Sequence, residues 1–234
     1  MTQQREGAAP PQPSAMNVPR MFKVWGLLAA SMLVAALACW AALPRTAPPS
    51  GEPVALPVGG DLADLIWPNG LDAGRDWTCI VLHHSATPSA TFEAIRQYHL
   101  DLGFEGVGYH FVINNGKAPG TSDGQIIATQ RWLEQRAGAH ALVNRHPEFN
   151  STGIGICLVG NFEEHEPTPR QMASLEMLVL ALAERYHIPL DRIVGHGELK
   201  NTKCPGRLFP LEAFVMDLRQ AAIRKRLQAA PETP

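Results

Sequence analysis

The sequence predicts an α/β domain, a central β-sheet of about five strands flanked by helices, behind one N-terminal transmembrane helix. Two features predict it: short β-branched apolar runs alternate with segments of helical period through residues 61–234, and an uncharged apolar run, Val24 to Leu43, stands near the start. With 234 residues and 45% hydrophobic content, the chain suits one domain with appendages. The formal charge of −2 comes from 20 basic and 22 acidic residues without long runs, so the basic footprint of a nucleic-acid binder is missing.

Residues 1–23 are polar and carry Pro10, Pro11, Pro13 and Pro19, which reads as a disordered tail. Residues 24–43 are long enough to cross a bilayer as a helix. Arg20 and Lys23 directly precede them, so the positive-inside tendency keeps the tail cytoplasmic and places the domain outside, in the periplasm or at the cell surface. A cleaved signal sequence is the alternative, and it exports the domain equally. Ala36-Leu37-Ala38-Cys39 faintly resembles a lipidation site, but the chain stays apolar through Leu43. Residues 44–60 hold Pro44, Pro48, Pro49, Pro53 and Pro57 and read as an extended linker, so residues 61–234 form the folded domain.

Within that domain Cys79 to His83 is an apolar, β-branched strand. Thr91 caps a helix whose expected inner face is Ile95, Tyr98 and Leu102, and Gly103 ends it. Gly108 to Ile113 and Gln125 to Thr129 read as strands joined by the Gly/Pro/Ser-rich segment 114–124. Ile154 to Val159 reads as a central strand. Thr168-Pro169-Arg170-Gln171 is a capping box, and Met172, Leu175, Leu178, Val179 and Leu182 mark the apolar face of the helix it opens. Arg192 to Gly195 is a last short strand, and Leu211 to Leu227 a C-terminal helix.

A catalytic zinc takes three protein ligands and leaves a fourth position for water, and imidazole and thiolate both serve. His83 and His84 close the first strand, His196 follows the last, and Cys204 stands eight positions later. A His and a Cys at that spacing are by themselves a weak pattern, read more readily as unrelated loop residues.

Five segments narrow the choice: His83-His84-Ser85-Ala86-Thr87, Val107 to Ile113, Gly138-Ala139-His140-Ala141, Ser151 to Ile156, and His196 through Cys204-Pro205-Gly206. In this order they resemble the type 2 N-acetylmuramoyl-L-alanine amidases, a family that includes peptidoglycan recognition proteins and phage amidases, and the resemblance runs from about Asp61 to Phe209. It implies a mixed sheet flanked by helices, a Zn2+ ion held by His83, His196 and Cys204, and a peptidoglycan substrate. By the same resemblance His84 is not a ligand, and Tyr109 is the tyrosine whose phenol donates to charge growing on the substrate carbonyl. Thr202 occupies the place of a lysine or threonine that shares this task, while Lys203 beside it is solvated. His140 and Asn150 are implied as substrate contacts at the groove.

The branch of the family with a strand glutamate as base has Cys157 at that position here, and a strand cysteine goes with the tyrosine. Cys79 and Cys157 read as small core residues, with a bridge between them left open. His110 reads as core or as a partner of a ligand, and His99, His146, His165 and His187 as exposed. Glu198 reads as structural or as a partner of a ligating histidine. The rival functions are a non-catalytic peptidoglycan sensor, which would ordinarily lack a ligand, and a metallopeptidase acting on stem peptides.

Overall fold

Six strands form one mixed sheet in the computed structural model, which describes residues 54–55, 62–67, 75–141 and 147–229. They are β1 (Val54–Ala55), β2 (Cys79–His84), β3 (Phe111–Asn115), β4 (Asp123–Ala128), β5 (Gly153–Leu158) and β6 (Ile193–Gly195), in the order β1-β4-β3-β5-β2-β6. β2 runs parallel to both β5 and β6, β3 runs parallel to β5, and β4 pairs antiparallel with β3 and β1. The helices are α1 (Leu62–Ile66), α2 (Phe92–Asp101), α3 (Gln130–Leu133), α4 (Glu148–Ser151), α5 (Pro169–Tyr186), α6 (His196–Leu199) and α7 (Leu211–Ala229). The expected tail and membrane span at 1–43 lie outside the described residues, and among the described residues no helix is long and apolar enough to cross a membrane.

The sixth strand comes from inside the segment expected as linker, where Val54 pairs with Ala128 and Ala55 with Ile127. Prolines at 53 and 57 bracket it, and residues that cannot donate to a ladder fit only a short edge strand.

Strand alternation sorts the side chains onto two faces. Ile80, Leu82, Phe111, Ile113, Ile154, Ile156 and Leu158 enter the main core, where α5 presents Leu175, Leu178, Val179 and Leu182. The intervening positions Cys79, Val81 and His83 of β2, with Gly153, Gly155 and Cys157 opposite them on β5, occupy the other face. There the apolar clusters are smaller, and glycines leave room for polar side chains.

The capping box forms as expected: Thr168 Oγ1 accepts from the Gln171 amide at 3.0 Å, and Gln171 Oε1 accepts from the Thr168 amide at 3.2 Å. Gln171 is itself buried, and its Nε2 donates to the carbonyls of Ile113 and Val159 at 3.1 and 2.9 Å, which ties α5 to the ends of two strands.

Two expectations are corrected. On α2, Ile95 is buried, but Tyr98 and Leu102 are 62% and 54% exposed and His99 turns inward instead. His99 Nδ1 accepts from the Gly108 amide at 3.0 Å and its ring packs against Phe104 and Tyr109, so a polar anchor outweighs two apolar side chains in setting the helix face. The strand expected from Gly108 starts at Phe111. A Cβ on Gly108 would lie 2.4 Å from the Ala139 carbonyl oxygen, and the Gly108 carbonyl accepts from the Ala139 amide at 3.0 Å rather than from a strand neighbour.

Candidate metal centre

His83 sits near the end of β2 and is 1% exposed. Pairing between β2 and β6 ends at Leu82 and Gly195, so the next residue, His196, leaves the sheet beside His83, with ring centroids 4.6 Å apart. The chain then turns through α6 and the loop after it, returning Cys204 with its Sγ 3.6 Å from His83 Nδ1. The amide of His84 donates to that sulfur at 3.4 Å. One ligand atom from each of His83, His196 and Cys204 lies within 4.8 Å of the other two.

This donor set fits a metal ion. Zinc bound at its usual lengths to nitrogen and sulfur in a tetrahedron holds the two atoms about 3.5 Å apart, close to the His83–Cys204 separation. His196 Nε2 is buried and has no hydrogen-bond partner among the described residues, so no protein group on that nitrogen fixes the ring's tautomer and a lone pair is available to a cation. Burial, with the imidazoles of His140 and His196 nearby, holds His83 neutral, well below its ordinary value. Burial and Lys200 lower His196 to about 4. Burial pushes the Cys204 thiol up to about 12, opposed by the His84 amide. An uncharged trio results, and a dication held by these residues would supply the charge needed to make the sulfur a ligand, its thiol proton leaving to solvent.

Tyr109 is partly buried, its ring 5.1 Å from that of His83. Burial raises its phenol well above the ordinary value, with Cys157, Cys204 and a hydrogen bond to Cys157 adding to the effect, so it is a proton donor at any working pH. Its backbone is pinned by Thr129, whose hydroxyl donates to the Tyr109 carbonyl at 2.8 Å. Arg131 braces the same segment by donating to the Val107 carbonyl at 2.8 Å and to that of Ala137. Thr202 is exposed on the loop before Cys204, and its Oγ1 accepts from the Cys204 amide at 3.3 Å.

His140 is buried against His83 rather than on an open rim, and half-buried Asn150 braces the turn that carries it. His140 is 7% exposed, with Nδ1 3.1 Å from His83 Nε2 and Nε2 3.2 Å from the Gly153 carbonyl. Burial lowers it to about 3. Asn150 Oδ1 accepts from the amides of His140 and Ala141 at 3.0 and 2.8 Å, holding that turn in place.

The remaining candidates fall elsewhere. His84 points to the opposite side, where its Nδ1 accepts from the Phe162 amide at 3.1 Å. Glu198 Oε1 accepts from the Gly195 amide at 2.6 Å and so caps α6. His110 is core: its Nδ1 accepts from the Gly155 amide and its Nε2 donates to the Arg136 carbonyl. Lys203 is exposed and pairs with Glu163 at 3.5 Å, and His146 lies outside the described residues. Cys79 and Cys157 are free thiols four positions apart in register, since Cys79 faces Gly153. At about 3.3 Å per residue that offset is far beyond the reach of a bridge.

The family profile described as Amidase_2, N-acetylmuramoyl-L-alanine amidase, matches residues 73–207. The endolysin of Escherichia phage T7 is 34% identical over 134 residues, covering 54% of this chain and 78% of the phage protein. A peptidoglycan recognition protein of Trichoplusia ni is 28% identical over 138 residues, covering 55% of this chain and 68% of the insect protein. Among solved structures, N-acetylmuramoyl-L-alanine amidase LysC from Clostridium intestinale superposes with a TM-score of 0.53 at 33% identity, covering 62% of this chain and 87% of LysC. The matched region contains every residue of the cluster built above, and the chain belongs to the N-acetylmuramoyl-L-alanine amidase family.

Proposed function

We propose that this chain is a zinc-dependent enzyme that hydrolyses the amide bond between N-acetylmuramoyl and L-alanine in peptidoglycan. The observation that carries the reading is the convergence of His83, His196 and Cys204 within 4.8 Å, the donor set of a catalytic site with one position left over. Those three residues would hold the ion. Zinc bound there polarises the scissile carbonyl and brings the pKa of a water toward about 7.

The chain's own groups do the rest. Burial delivers His83 and His196 as neutral donors, so no imidazole proton has to leave before they ligate. The Tyr109 phenol keeps its proton and donates to the carbonyl oxygen as negative charge builds on it. Thr202, whose oxygen already accepts from the Cys204 amide, has its hydroxyl hydrogen left for the same oxygen, without the positive charge a lysine would bring. Anchoring through residues 24–43, with the domain outside the cytoplasm, completes the proposal.

Digestion of purified sacculi by the full-length chain, with and without added zinc, tests the activity by mass spectrometry. Intact stem peptides separated from disaccharide support the amidase. Split stems or crosslinks identify a metallopeptidase, and peptidoglycan binding without products identifies a sensor. For the topology, a C-terminal reporter active only outside the cytoplasm should be active, and a silent one rejects the export.

A further inference from the structure

We propose that His140 is a positioning residue that selects the tautomer of His83, holding the proton on Nε2 so that Nδ1 turns its lone pair toward Cys204. The chain of bonds allows one assignment. The Gly153 carbonyl can only accept, so His140 Nε2, 3.2 Å away, carries a hydrogen. A neutral imidazole has one N–H, so His140 Nδ1 is the acceptor. It lies 3.1 Å from His83 Nε2, which must therefore be the donor. His83 Nδ1 is then unprotonated, and it is the nitrogen that stands 3.6 Å from Cys204 Sγ.

The seat of His140 is built to keep this order. A Cβ on Gly138 would lie 2.3 Å from the His140 ring, and one on Gly155 would lie 2.4 Å from it, so the imidazole fills space that two glycines from separate segments leave open. Asn150 fixes the backbone by accepting from the amides of both His140 and Ala141. A ring in close contact with two glycines and bonded at both nitrogens cannot flip without losing the Gly153 and His83 bonds together. Histidine ligands characteristically donate their second N–H to a carbonyl or carboxylate. Here a second histidine stands between ligand and carbonyl.

The assignment rests on the proposed metal-centre reading only for its consequence; the tautomer itself belongs to the metal-free protein. Long-range 1H–15N spectra of the full-length chain stripped of metal, with His83 assigned by comparison with His83→Gln, should show His83 and His140 both protonated at Nε2. Nδ1 protonation of either ring overturns the proposal. Zinc affinity, measured by competition with a chromophoric chelator, should fall about 10–100-fold in His140→Leu. His140→Gln, which offers an acceptor and a donor on one amide, should recover most of that loss. A folded His140→Leu variant that binds zinc as tightly as the parent refutes the role. Should that variant not fold, the tautomer of the parent decides the question. A parent with the expected tautomers that binds no zinc supports the His140–His83 order while removing the amidase reading.

Discussion

The amide of His84 donates to Cys204 Sγ across 3.4 Å, joining residues 120 positions apart in the chain. The strand that presents His83 thereby also holds the sulfur, and the end of β2 fixes two of the proposed ligands at once. A thiolate accepting from a backbone amide is stabilised where it stands, but burial outweighs that amide and pushes the Cys204 thiol up to about 12. In the proposed centre a cation would therefore be needed to keep the sulfur deprotonated. Cys204→Ala should lose bound zinc and activity together. Unchanged metal content by plasma emission analysis would remove Cys204 from the ligand set.

Tyr109→Phe separates chemistry from assembly. The ring packs beside His83 and His99, and phenylalanine keeps both contacts. Zinc content should be unchanged while turnover on peptidoglycan falls by about 10²-fold, the usual loss on removing one donor to a developing oxyanion. Rates near those of the parent would reduce the tyrosine to packing.

The proposed ligands His83, His196 and Cys204 were legible in the sequence because each sits where a strand ends or a loop returns, and ordered motifs surround them. His140 was legible as a site residue but not in its position. Its seat is assembled from Gly138, Gly153 and Gly155 with Asn150, and a glycine in a sequence does not announce which ring fills the space it leaves. His99 shows the same limit on α2, since apolar spacing pointed to Tyr98 and Leu102 while an imidazole bonded to the Gly108 amide took the inner face. The pairing of Val54 and Ala55 with β4 was hidden by the prolines around it.

Glycine at 155 is required by the ring it faces. A Cβ there would stand 2.4–2.7 Å from three atoms of His140, whose ring also fills the space at Gly138. Gly155→Ala should destabilise the fold by about 1–3 kcal/mol, the cost of overpacking a filled interior. It should also weaken zinc binding, because His140 cannot yield without dragging on His83. A thermal melt and a chelator competition read the two effects, and an alanine variant indistinguishable in both would show that the seat is loose.

Acid should unfold the metal-free protein early. His140 is held at about 3 in the fold against an ordinary 6.5, so below pH 6.5 the unfolded chain binds more protons than the native one. Stability is then full above that pH and falls as acid is added, by up to about 1.4 kcal/mol per pH unit from His140 until its folded pKa is reached. His83 and His110 are depressed in the same direction, mainly by burial, and add to the slope. Melting temperatures of the metal-stripped chain should drop steadily from pH 7 to pH 4.5. A flat profile would mean that these imidazoles accept protons inside the fold.

Gln171 tests whether the two faces of the sheet are separable. Its side chain bonds the Ile113 and Val159 carbonyls and the Thr168 amide, all on the side carrying α5. None of these groups belongs to the His83 cluster. Gln171→Leu fills similar volume but leaves the Val159 carbonyl without its donor and half of the capping box undone, while the Ile113 carbonyl keeps the Val159 amide, at a cost of about 1–3 kcal/mol for one unsatisfied buried group. The variant should melt earlier, while the folded fraction binds zinc with parental affinity and turns over peptidoglycan at the parental rate. Equal losses of metal affinity and stability would show instead that strain at the ends of β3 and β5 reaches the ligands, since β5 is the partner of the strand that carries His83.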